Sequence, residues 1–345
     1  MLVKLKKGLF SSAGNFHIDP MGAVEHAVVT HAHADHARRG SHFYYTPNSG
    51  VELLRARVGK NIRVTGFDFG EKFYLGDVQV SFHPAGHILG SAQVRMQRVG
   101  GLSRKPEGEV WVASGDYKRE LDPTCEPFES VPCDVFVTEA TFGTPGYQWP
   151  RGVDLGSRII EWWHRNRDEG RNSVLFAYSL GKAQRILGLL APFANRRIYC
   201  HSAVTPLNEC YRRQGVRLAE TLCLSAVPNE VRLSGEMILA PRAFLKSEQC
   251  QILDSNFATA FASGWMAKSN GSSGRAHGGY DTGFVLSDHA DWNDLIRTIL
   301  ETGAKRVYVQ HRGQGALVRH LRRLGISAFS EDHLIPENVN QLSLF

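Results

Sequence analysis

Histidine and aspartate are concentrated in one short stretch of the sequence, Thr30-His31-Ala32-His33-Ala34-Asp35-His36. Such crowding cannot place all four side chains on one face of a helix or one side of a strand, so it predicts a loop. Neutral imidazole and carboxylate are ligands that Zn²⁺ and Mn²⁺ accept. The stretch therefore predicts a metal site, and a polar loop of solvated histidines is the alternative.

Further residues that could bind a metal or move a proton lie at the ends of predicted strands. They are His87, Asp116, Glu139, His289 and His311. A single polar residue at a strand end usually serves a turn or a helix cap. Their number, beside the histidine loop, favours one shared site over isolated turn residues.

The elements that must position these residues change in character along the chain. An apolar run from Val24 to Thr30 predicts a buried strand before the histidine loop. Residues 1–145 consist mostly of short β-branched and aromatic runs between polar turns, which predicts strands. Beyond them, helical patterns such as 155–167 and 182–190 alternate with strand patterns such as 173–177. That alternation predicts an α/β domain with a parallel sheet.

Composition narrows the class of protein further. The 345 residues carry a formal net charge of +6 and a pI near 9.0, which favours a polyanionic partner. The six cysteines form no C-x-x-C pair, so we expect reduced thiols and no thiolate zinc site. No apolar run is long enough for a membrane helix, and the first residues lack a signal-peptide pattern. We expect a cytoplasmic protein without a membrane partner.

Several motifs resemble those of a known family. The H-x-H-x-D-H loop, Ala85-Gly86-His87 and Ser114-Gly115-Asp116-Tyr117 resemble the metallo-β-lactamase fold. Glu139, His289 and His311 resemble the three additional motifs of the β-CASP nucleases, and residues 176–185 (FAYSLGKAQR) resemble the start of their inserted domain. Residues 115–128 are most similar to the bacterial exonucleases associated with DNA ligases, whose relatives are often labelled mRNA 3′-end processing factors.

The resemblance implies a fold and a division of the chain. The fold is an αββα metallo-β-lactamase sandwich with an inserted α/β β-CASP domain. Residues 1–145 would form the first part of the sandwich, 146–265 the inserted domain, and 266–345 the C-terminal part of the sandwich. The Gly- and Ser-rich stretch 264–279 places the second boundary.

The same resemblance implies a role for each candidate residue. One of two divalent metal ions (Zn or Mn) would be held by His31, His33 and His87, and the other by Asp35, His36 and His311, with Asp116 bridging. His289 would be the general acid, oriented by Glu139. Asp19, in His17-Ile18-Asp19, would orient the ligand loop from behind.

Two cations near the start of a predicted helix are candidates for substrate binding. Lys182 and Arg185 follow a turn that contains Gly181. Backbone N–H groups and positive charge at a helix start suit a phosphate. Ordinary solvated helix charges are the alternative.

The implied function is two-metal hydrolysis of phosphodiester bonds by a DNA exonuclease in DNA repair, with a DNA ligase or helicase as partner. RNA is the alternative substrate, because His311 is the choice seen in RNA-cleaving members of the family. The chain also has Glu139-Ala140-Thr141 where members usually carry Glu-Ser-Thr. A small-molecule hydrolase acting on a lactam or thioester, and a metal-free nucleic-acid-binding module, are further alternatives.

Overall fold

The computed structural model describes residues 1–100, 105–228, 230–253, 256–268, 279–310 and 314–336. The chain divides into two units. The first unit comprises Met1–Leu121, Cys125–Pro145 and His289–Phe345, and the second comprises Asp122–Thr124 and Gly146–Asp288. Each unit has its own sheets and its own buried apolar clusters.

The strands and α-helices of the described residues follow one another along the chain. The strands are β1 Leu2–Leu5, β2 Gly8–Ser11, β3 Phe16–Ile18, β4 His26–Val28, β5 Phe43–Pro47, β6 Val64–Phe67, β7 Lys72–Leu75, β8 Val78–Pro84, β9 Ala92–Gly100, β10 Lys105–Ala113, β11 Val135–Thr138, β12 Asn172–Phe176, β13 Ile198–Cys200, β14 Thr221–Cys223, β15 Met237–Ala240, β16 Phe257–Ala262, β17 Thr282–Phe284, β18 Arg306–Val309 and β19 Ser327–Ser330. The α-helices are α1 Val51–Val58, α2 Leu155–Asp168, α3 Lys182–Leu190, α4 Thr205–Arg213, α5 Trp292–Thr302 and α6 Gln314–Arg323. Short 3₁₀ turns connect several of them.

The first unit contains two sheets. One has six strands in the order β1-β2-β3-β4-β5-β6, and the other has seven in the order β19-β18-β11-β10-β9-β8-β7. In the seven-stranded sheet, β10, β11 and β18 are parallel neighbours, and β8 runs in the same direction because β9 is antiparallel to both β8 and β10. The carboxyl ends of β8, β10, β11 and β18 therefore lie along one edge of this sheet.

Successive side chains of each strand point to opposite faces of its sheet, so they belong to different buried clusters. Val135 and Val137 of β11 belong to an apolar cluster to which both sheets contribute. Phe136, between them, belongs to a cluster with residues of α5 and α6. In the six-stranded sheet, Val28 joins the shared cluster, whereas Ala27 packs in a cluster with residues of α1. Each sheet thus buries one face against the other sheet and one against helices, as the two-residue period of strands requires.

The second unit is built around one parallel sheet. Its six strands lie in the order β14-β13-β15-β12-β16-β17. Helices α2 and α3 pack in an apolar cluster with residues of this sheet, and both helices are amphipathic in sequence. The start of α2 is fixed by Asp154, whose side chain accepts a hydrogen bond from the Ser157 N–H at 3.0 Å.

The compact units and the domains predicted from sequence divide the chain at different points near the second boundary, and the predicted domains stay a prediction. The second unit continues to Asp288, whereas the prediction ended the inserted domain at residue 265. The physical reason is β17, which follows the Gly- and Ser-rich stretch and pairs in parallel with β16, Ala262 opposite Phe284. The first boundary of the prediction, after residue 145, coincides with the point at which the second unit takes over at Gly146.

The described residues bear on three broad features of the chain. The chain is of mixed α/β class, as predicted. All six cysteines are present as thiols. Within the ranges that the structure describes, every helix is too short or too polar to cross a membrane.

Candidate metal centre

The loop that follows β4 carries the first histidines of the site. A turn closes it, because the N–H groups of His36 and Ala37 both donate to the His33 carbonyl, at 3.2 and 2.8 Å. The side chain of His31 is fully buried, whereas that of Asp35 is 76% exposed. The loop therefore presents some of its polar side chains to the interior of the first unit and others to solvent.

Two glycines allow the next loops to approach each other. Gly86, beside His87, has φ +71°, and a Cβ there would lie 2.4 Å from the Lys118 carbonyl oxygen. Gly115, beside Asp116, has φ +55°, and a Cβ there would lie 2.7 Å from the Cβ of Thr30. Any other residue at either position would force the backbone apart. The loops after β8 and β10 therefore need these glycines to place their polar neighbours.

His31, His33 and His87 converge through their ring nitrogens. His33 Nδ1 lies 3.1 Å from His31 Nε2 and 3.0 Å from His87 Nε2. With a carboxylate oxygen of Asp116, these atoms lie within 4.8 Å of one another. Three neutral imidazoles and one carboxylate form a donor set that Zn²⁺ and Mn²⁺ accept. The residues therefore fit a divalent cation.

Asp116 is the centre of the wider cluster. Its Oδ2 lies 3.3 Å from His36 Nε2, 3.6 Å from His31 Nε2 and 3.8 Å from His87 Nε2. The same oxygen is 4.0 Å from His289 Nδ1. Burial opposes ionisation of this carboxyl, but the charges of His36 and His289 outweigh burial and hold its pKa well below the usual range. Asp116 is thus an anion surrounded by imidazoles.

The histidines themselves differ in protonation. Burial, followed by the charges of His36 and His87, holds the pKa of His31 well below its usual value. Burial also opposes protonation of His36, but the charges of Asp116 and Asp19 outweigh burial and raise its pKa well above the usual value. A cation that binds His36 therefore has to displace a proton, whereas His31 is already neutral.

Asp19 forms hydrogen bonds that orient residues of the histidine loop. Its Oδ2 accepts from His36 Nδ1–H at 2.7 Å and from the Thr30 hydroxyl at 2.6 Å, and its Oδ1 accepts from the Thr30 N–H at 2.8 Å. Because the Thr30 hydroxyl donates to Asp19, it accepts from His31 Nδ1–H, which lies 3.0 Å away. Both histidines consequently direct Nε2 towards Asp116, which is how outer carboxylates usually orient metal-binding imidazoles.

The backbone of Asp19 lies in the left-handed region, with φ +44°. Aspartate tolerates this region better than most residues, at a cost of order 1 kcal/mol or more. Such strain persists only where the surroundings hold the residue in place, and here three hydrogen bonds do so. The conformation is therefore tied to the orientation of His36 and Thr30.

Glu139 and His289 form a second arrangement beside Asp116. His289 Nδ1 lies 2.9 Å from Glu139 Oε2 and 3.2 Å from Oε1, and the carboxylate also accepts from the Tyr117 N–H at 2.6 Å. Glu139 follows β11 and is 1% exposed, whereas the His289 side chain is 21% exposed. A carboxylate on Nδ1 leaves Nε2 as the ring atom that can exchange a proton outside. The His289 and His87 ring centroids are 4.7 Å apart.

The candidate residues from the sequence are distributed unevenly around this cluster. His31, His33, His36, His87 and Asp116 lie together, and Glu139 and His289 adjoin them. Asp35 lies at the margin, with Oδ2 3.8 Å from His36 Nε2. His311 lies outside the described residues. The roles of all these residues stay predictions.

Lys182 and Arg185 are placed differently from the prediction. Both are buried within the second unit, at 4% and 3% exposure, and both lie against Asp288. Such burial leaves little side-chain surface for a phosphate to contact, and the phosphate-binding role of both residues stays a prediction. The turn before α3 was predicted as it stands, but the burial of its cations depends on residues about a hundred positions away.

Two residues that the sequence analysis left without a role belong to the site. Thr30 connects Asp19 to His31 through its hydroxyl. Tyr117 holds Glu139 through its backbone N–H, and its carbonyl accepts from the Ala290 N–H at 2.7 Å, next to His289. Both residues stand directly beside a predicted ligand, Thr30 before His31 and Tyr117 after Asp116. Their position next to a predicted ligand in the sequence was the only signal that could have assigned them to the site.

Comparison with curated proteins finds relatives that act on nucleic acid by name. A probable DNA ligase of Opitutus terrae is 27% identical over 331 residues, which is 95% of this chain and 31% of that protein. The transcription termination factor FttA of Thermococcus kodakarensis is 27% identical over 210 residues, 50% of this chain and 31% of that protein. The endoribonuclease YSH1 of Yarrowia lipolytica is 24% identical over 204 residues, 49% of this chain and 24% of that protein.

The first unit has two packed sheets and a cluster of histidine and aspartate side chains that fits a divalent cation, and the second unit is α/β. The relatives make the class of protein specific, and the resemblance to the metallo-β-lactamase-fold β-CASP nucleases is confirmed. The chain spans at most 31% of the length of the three relatives described above. No family model matches it.

A solved structure supports the fold alone. The crystal structure of a protein of unknown function from Enterococcus faecalis V583 aligns with a TM-score of 0.55, at 11% sequence identity. The alignment covers 85% of this chain and 76% of that one. At this identity the likeness carries no information about activity.

Proposed function

We propose that the chain is a two-metal-dependent nuclease that hydrolyses phosphodiester bonds. The observation that carries the proposal is the position of Asp116, whose Oδ2 lies within 4.0 Å of ring nitrogens of four histidines. Two of these histidines, His31 and His87, belong with His33 to the candidate donor set. The third is His36, and the fourth, His289, is bound by Glu139. One carboxylate thus adjoins both a metal donor set and a candidate proton donor.

The proposal includes the αββα sandwich of the metallo-β-lactamase fold for the first unit and the β-CASP domain for the second. Three buried clusters support the sandwich: one shared by both sheets and two between a sheet and helices. The parallel sheet of the second unit supports an α/β insertion between residues 145 and 289 of the first.

His31, His33 and His87 would hold one cation, and Asp35, His36 and His311 the second, with Asp116 between them. Zn²⁺ and Mn²⁺ both suit nitrogen and oxygen donors, and geometry and availability choose between them. When bound, two such ions lower the pKa of a water molecule and neutralise the negative charge of a phosphodiester.

The chain's own residues supply the proton chemistry. Glu139 accepts from His289 Nδ1–H and thereby fixes the ring so that Nε2 can deliver a proton to the departing oxygen. A histidine suits this role because its ordinary pKa is close to the pH at which enzymes work. Tyr117 holds the carboxylate in place through its N–H, so the orientation does not depend on His289 alone.

We propose DNA as the substrate and DNA repair as the setting, with a DNA ligase or helicase as partner. The support is the probable DNA ligase of Opitutus terrae, to which 95% of this chain is similar. That relative extends well beyond the matched region, which covers 31% of its length.

RNA is the second candidate substrate. The support is the pair of relatives named as a transcription termination factor and an endoribonuclease, each similar to about half of this chain. The same residues would act on either substrate, because the site recognises the phosphodiester and not the sugar.

The proposal is tested by digestion of one sequence as DNA and as RNA, single- and double-stranded, labelled at the 5′ or 3′ end. The metal is removed with a chelator and restored as Zn²⁺, Mn²⁺ or Mg²⁺. His289→Ala and Asp35→Ala are expected to lower the rate by about 10²- to 10⁴-fold, the usual contribution of a proton donor or metal ligand. Release of label from DNA but not RNA supports the repair role, and the reverse supports the alternative.

Matched controls are available on the surface. His42, whose side chain is 66% exposed and paired with Glu25, and Asp168, 68% exposed, can each be replaced by alanine without touching the cluster. Parent-like cleavage by folded His289→Ala and Asp35→Ala proteins would overturn the mechanism. Full activity after exhaustive metal removal would overturn the metal dependence.

A further inference from the structure

Two cations of α3 hold the last residues of the second unit. Lys182 Nζ donates to the Leu286 carbonyl at 3.1 Å and to Asp288 Oδ2 at 2.8 Å. Arg185 Nη1 donates to the Ser287 carbonyl at 2.5 Å and lies 3.5 Å from Asp288 Oδ1. Three consecutive residues, Leu286 to Asp288, are therefore fixed by one pair of side chains, through two backbone carbonyls and one carboxylate.

This network is buried, and buried charge is costly unless it is well paired. Lys182, Arg185 and Asp288 are 4%, 3% and 4% exposed. Arg185 Nε also lies 3.4 Å from Asp122 Oδ2, a carboxylate that is 3% exposed. Two cations thus face two carboxylates, so the charges balance. Well-packed apolar residues often stabilise a fold as well as such a network, so its presence indicates a need for a defined conformation.

The residue that follows the fixed segment is His289. It is joined to Asp288 by one peptide bond, and it is the proton donor of the proposed function. We propose that Lys182 and Arg185 are positioning residues for His289, acting through the segment from Leu286 to Asp288. The inference rests on the proposed function, because it requires His289 to be the general acid.

The physical effect is on the backbone that carries the histidine. Glu139 can orient the imidazole ring only if the Cα of His289 is already in place. Fixing the three preceding residues restricts the backbone on the amino side of His289. A displacement of about 1 Å in a reacting group costs about 10²-fold in rate, so the network matters for turnover even without touching substrate.

The test compares two substrates that differ only in their need for a proton donor. A dinucleotide releases an alkoxide, which must be protonated as it leaves. The p-nitrophenyl ester of thymidine 5′-phosphate releases p-nitrophenolate, a good leaving group that needs no proton. The full chain, loaded with metal, is assayed with both. The variants are Arg185→Lys, which keeps the charge and shortens the reach, and Asp288→Asn, which keeps the shape and removes the charge.

The expected result is a selective loss. Each variant should lower kcat for the dinucleotide by about 10- to 100-fold, with a loss at least about tenfold smaller for the p-nitrophenyl ester and little change in KM. His289→Ala should show the same selectivity with a larger loss. Arg165→Lys, on the exposed face of α2, is the matched control and should leave both rates unchanged.

The outcomes separate this inference from the proposed function. If His289→Ala loses the dinucleotide selectively and the two network variants do not, the positioning role is wrong and the proposed function stands. If His289→Ala shows no selectivity, the general-acid assignment fails and the inference fails with it. Equal losses on both substrates in the network variants, measured below the melting temperature of each, indicate a purely structural role and also overturn it.

Discussion

Replacing Asp19 by asparagine tests how the histidine loop is prepared for a cation. The change is nearly isosteric, and asparagine tolerates the left-handed backbone at least as well as aspartate does, so the φ of +44° need not change. The amide can still accept from the Thr30 N–H. In the parent, the Thr30 hydroxyl and His36 Nδ1–H both donate to Asp19 Oδ2. In the variant, the NH₂ group faces these two donors and cannot accept from either.

The magnitude follows from the number of contacts that are lost. The carboxylate fixes His36 directly and His31 through Thr30. Loss of one such outer partner typically lowers metal affinity by about 10- to 100-fold. Because two histidines are affected, we expect a loss of about 100-fold in Asp19→Asn, which corresponds to about 2.8 kcal/mol at 1.4 kcal/mol per factor of ten. Thr30→Val removes the direct partner of His31 and one hydrogen bond to Asp19 but leaves the carboxylate on His36, so it should lose about tenfold.

The assay is competition for Zn²⁺ and Mn²⁺ between the protein and a fluorescent chelator, with folding followed by circular dichroism. Asn15→Asp is the matched control, because Asn15 also has a positive φ (51°) but is exposed. Metal affinity within about threefold of the parent in folded Asp19→Asn would refute the reasoning, since the loss expected of an outer carboxylate is at least tenfold.

Three other substitutions or reactions probe the loops, a helix cap and the thiols. Gly86→Ala should destabilise the fold by about 1–3 kcal/mol or more in urea unfolding, because the new Cβ would lie 2.4 Å from the Lys118 carbonyl oxygen at positive φ; an unchanged midpoint would contradict this. Asp291→Ala should lower the free energy of unfolding by about 0.5–2 kcal/mol in the same assay, because Asp291 caps α5 by accepting from a backbone N–H at 2.8 Å. An unchanged free energy of unfolding would argue that water replaces the cap. Iodoacetamide should alkylate Cys223 before Cys200. Burial opposes ionisation of Cys223, but hydrogen bonds from Ser225 lower its pKa. Burial raises the pKa of Cys200 to about 12. Equal alkylation rates of the two thiols, measured by mass spectrometry, would contradict this order of reactivity.

The part of the site that is local in sequence could be predicted. The spacing of His31, His33 and His36 indicated a loop after a buried strand, and such a loop follows β4. Asp116 and Glu139 were placed at strand ends for the same reason, since an apolar run that ends in a carboxylate is visible without a structure. Their meeting at one edge of a sheet depends on strand order, which no local pattern contains.

Other features depend on tertiary context that the sequence does not display. The central strands β15 and β16 have the sequences MILA and FATAFA, which are short and rich in residues that also suit helices. Their strand conformation is imposed by β12, which pairs with both. The N-terminal strands β1 and β2 lie in the part of the chain for which strands were predicted, but lysines and glycines interrupt their apolar pattern, so their bounds could not be read from it.

The burial of Lys182 is another feature that depends on tertiary context and could not be predicted from the sequence. At the start of a helix, a lysine is ordinarily solvated, and nothing beside it in the sequence indicates otherwise. Its partner Asp288 is 106 positions further along the chain. Charge pairing over such a separation becomes visible only when the sheet of the second unit has brought the two ends together.

The separation between Glu139 and His289, 150 positions, has a consequence for how the protein is made. A ribosome adds about 5–20 residues per second, so about 8 to 30 seconds pass between the synthesis of these two residues. His31, His33, His87 and Asp116 all precede Glu139 and emerge earlier still. The nascent chain therefore carries its histidine-rich cluster, beside the messenger that encodes it, well before His289 has been synthesised. Under the proposed function, hydrolytic competence would be acquired last, when the second unit has been synthesised and His289 has followed it.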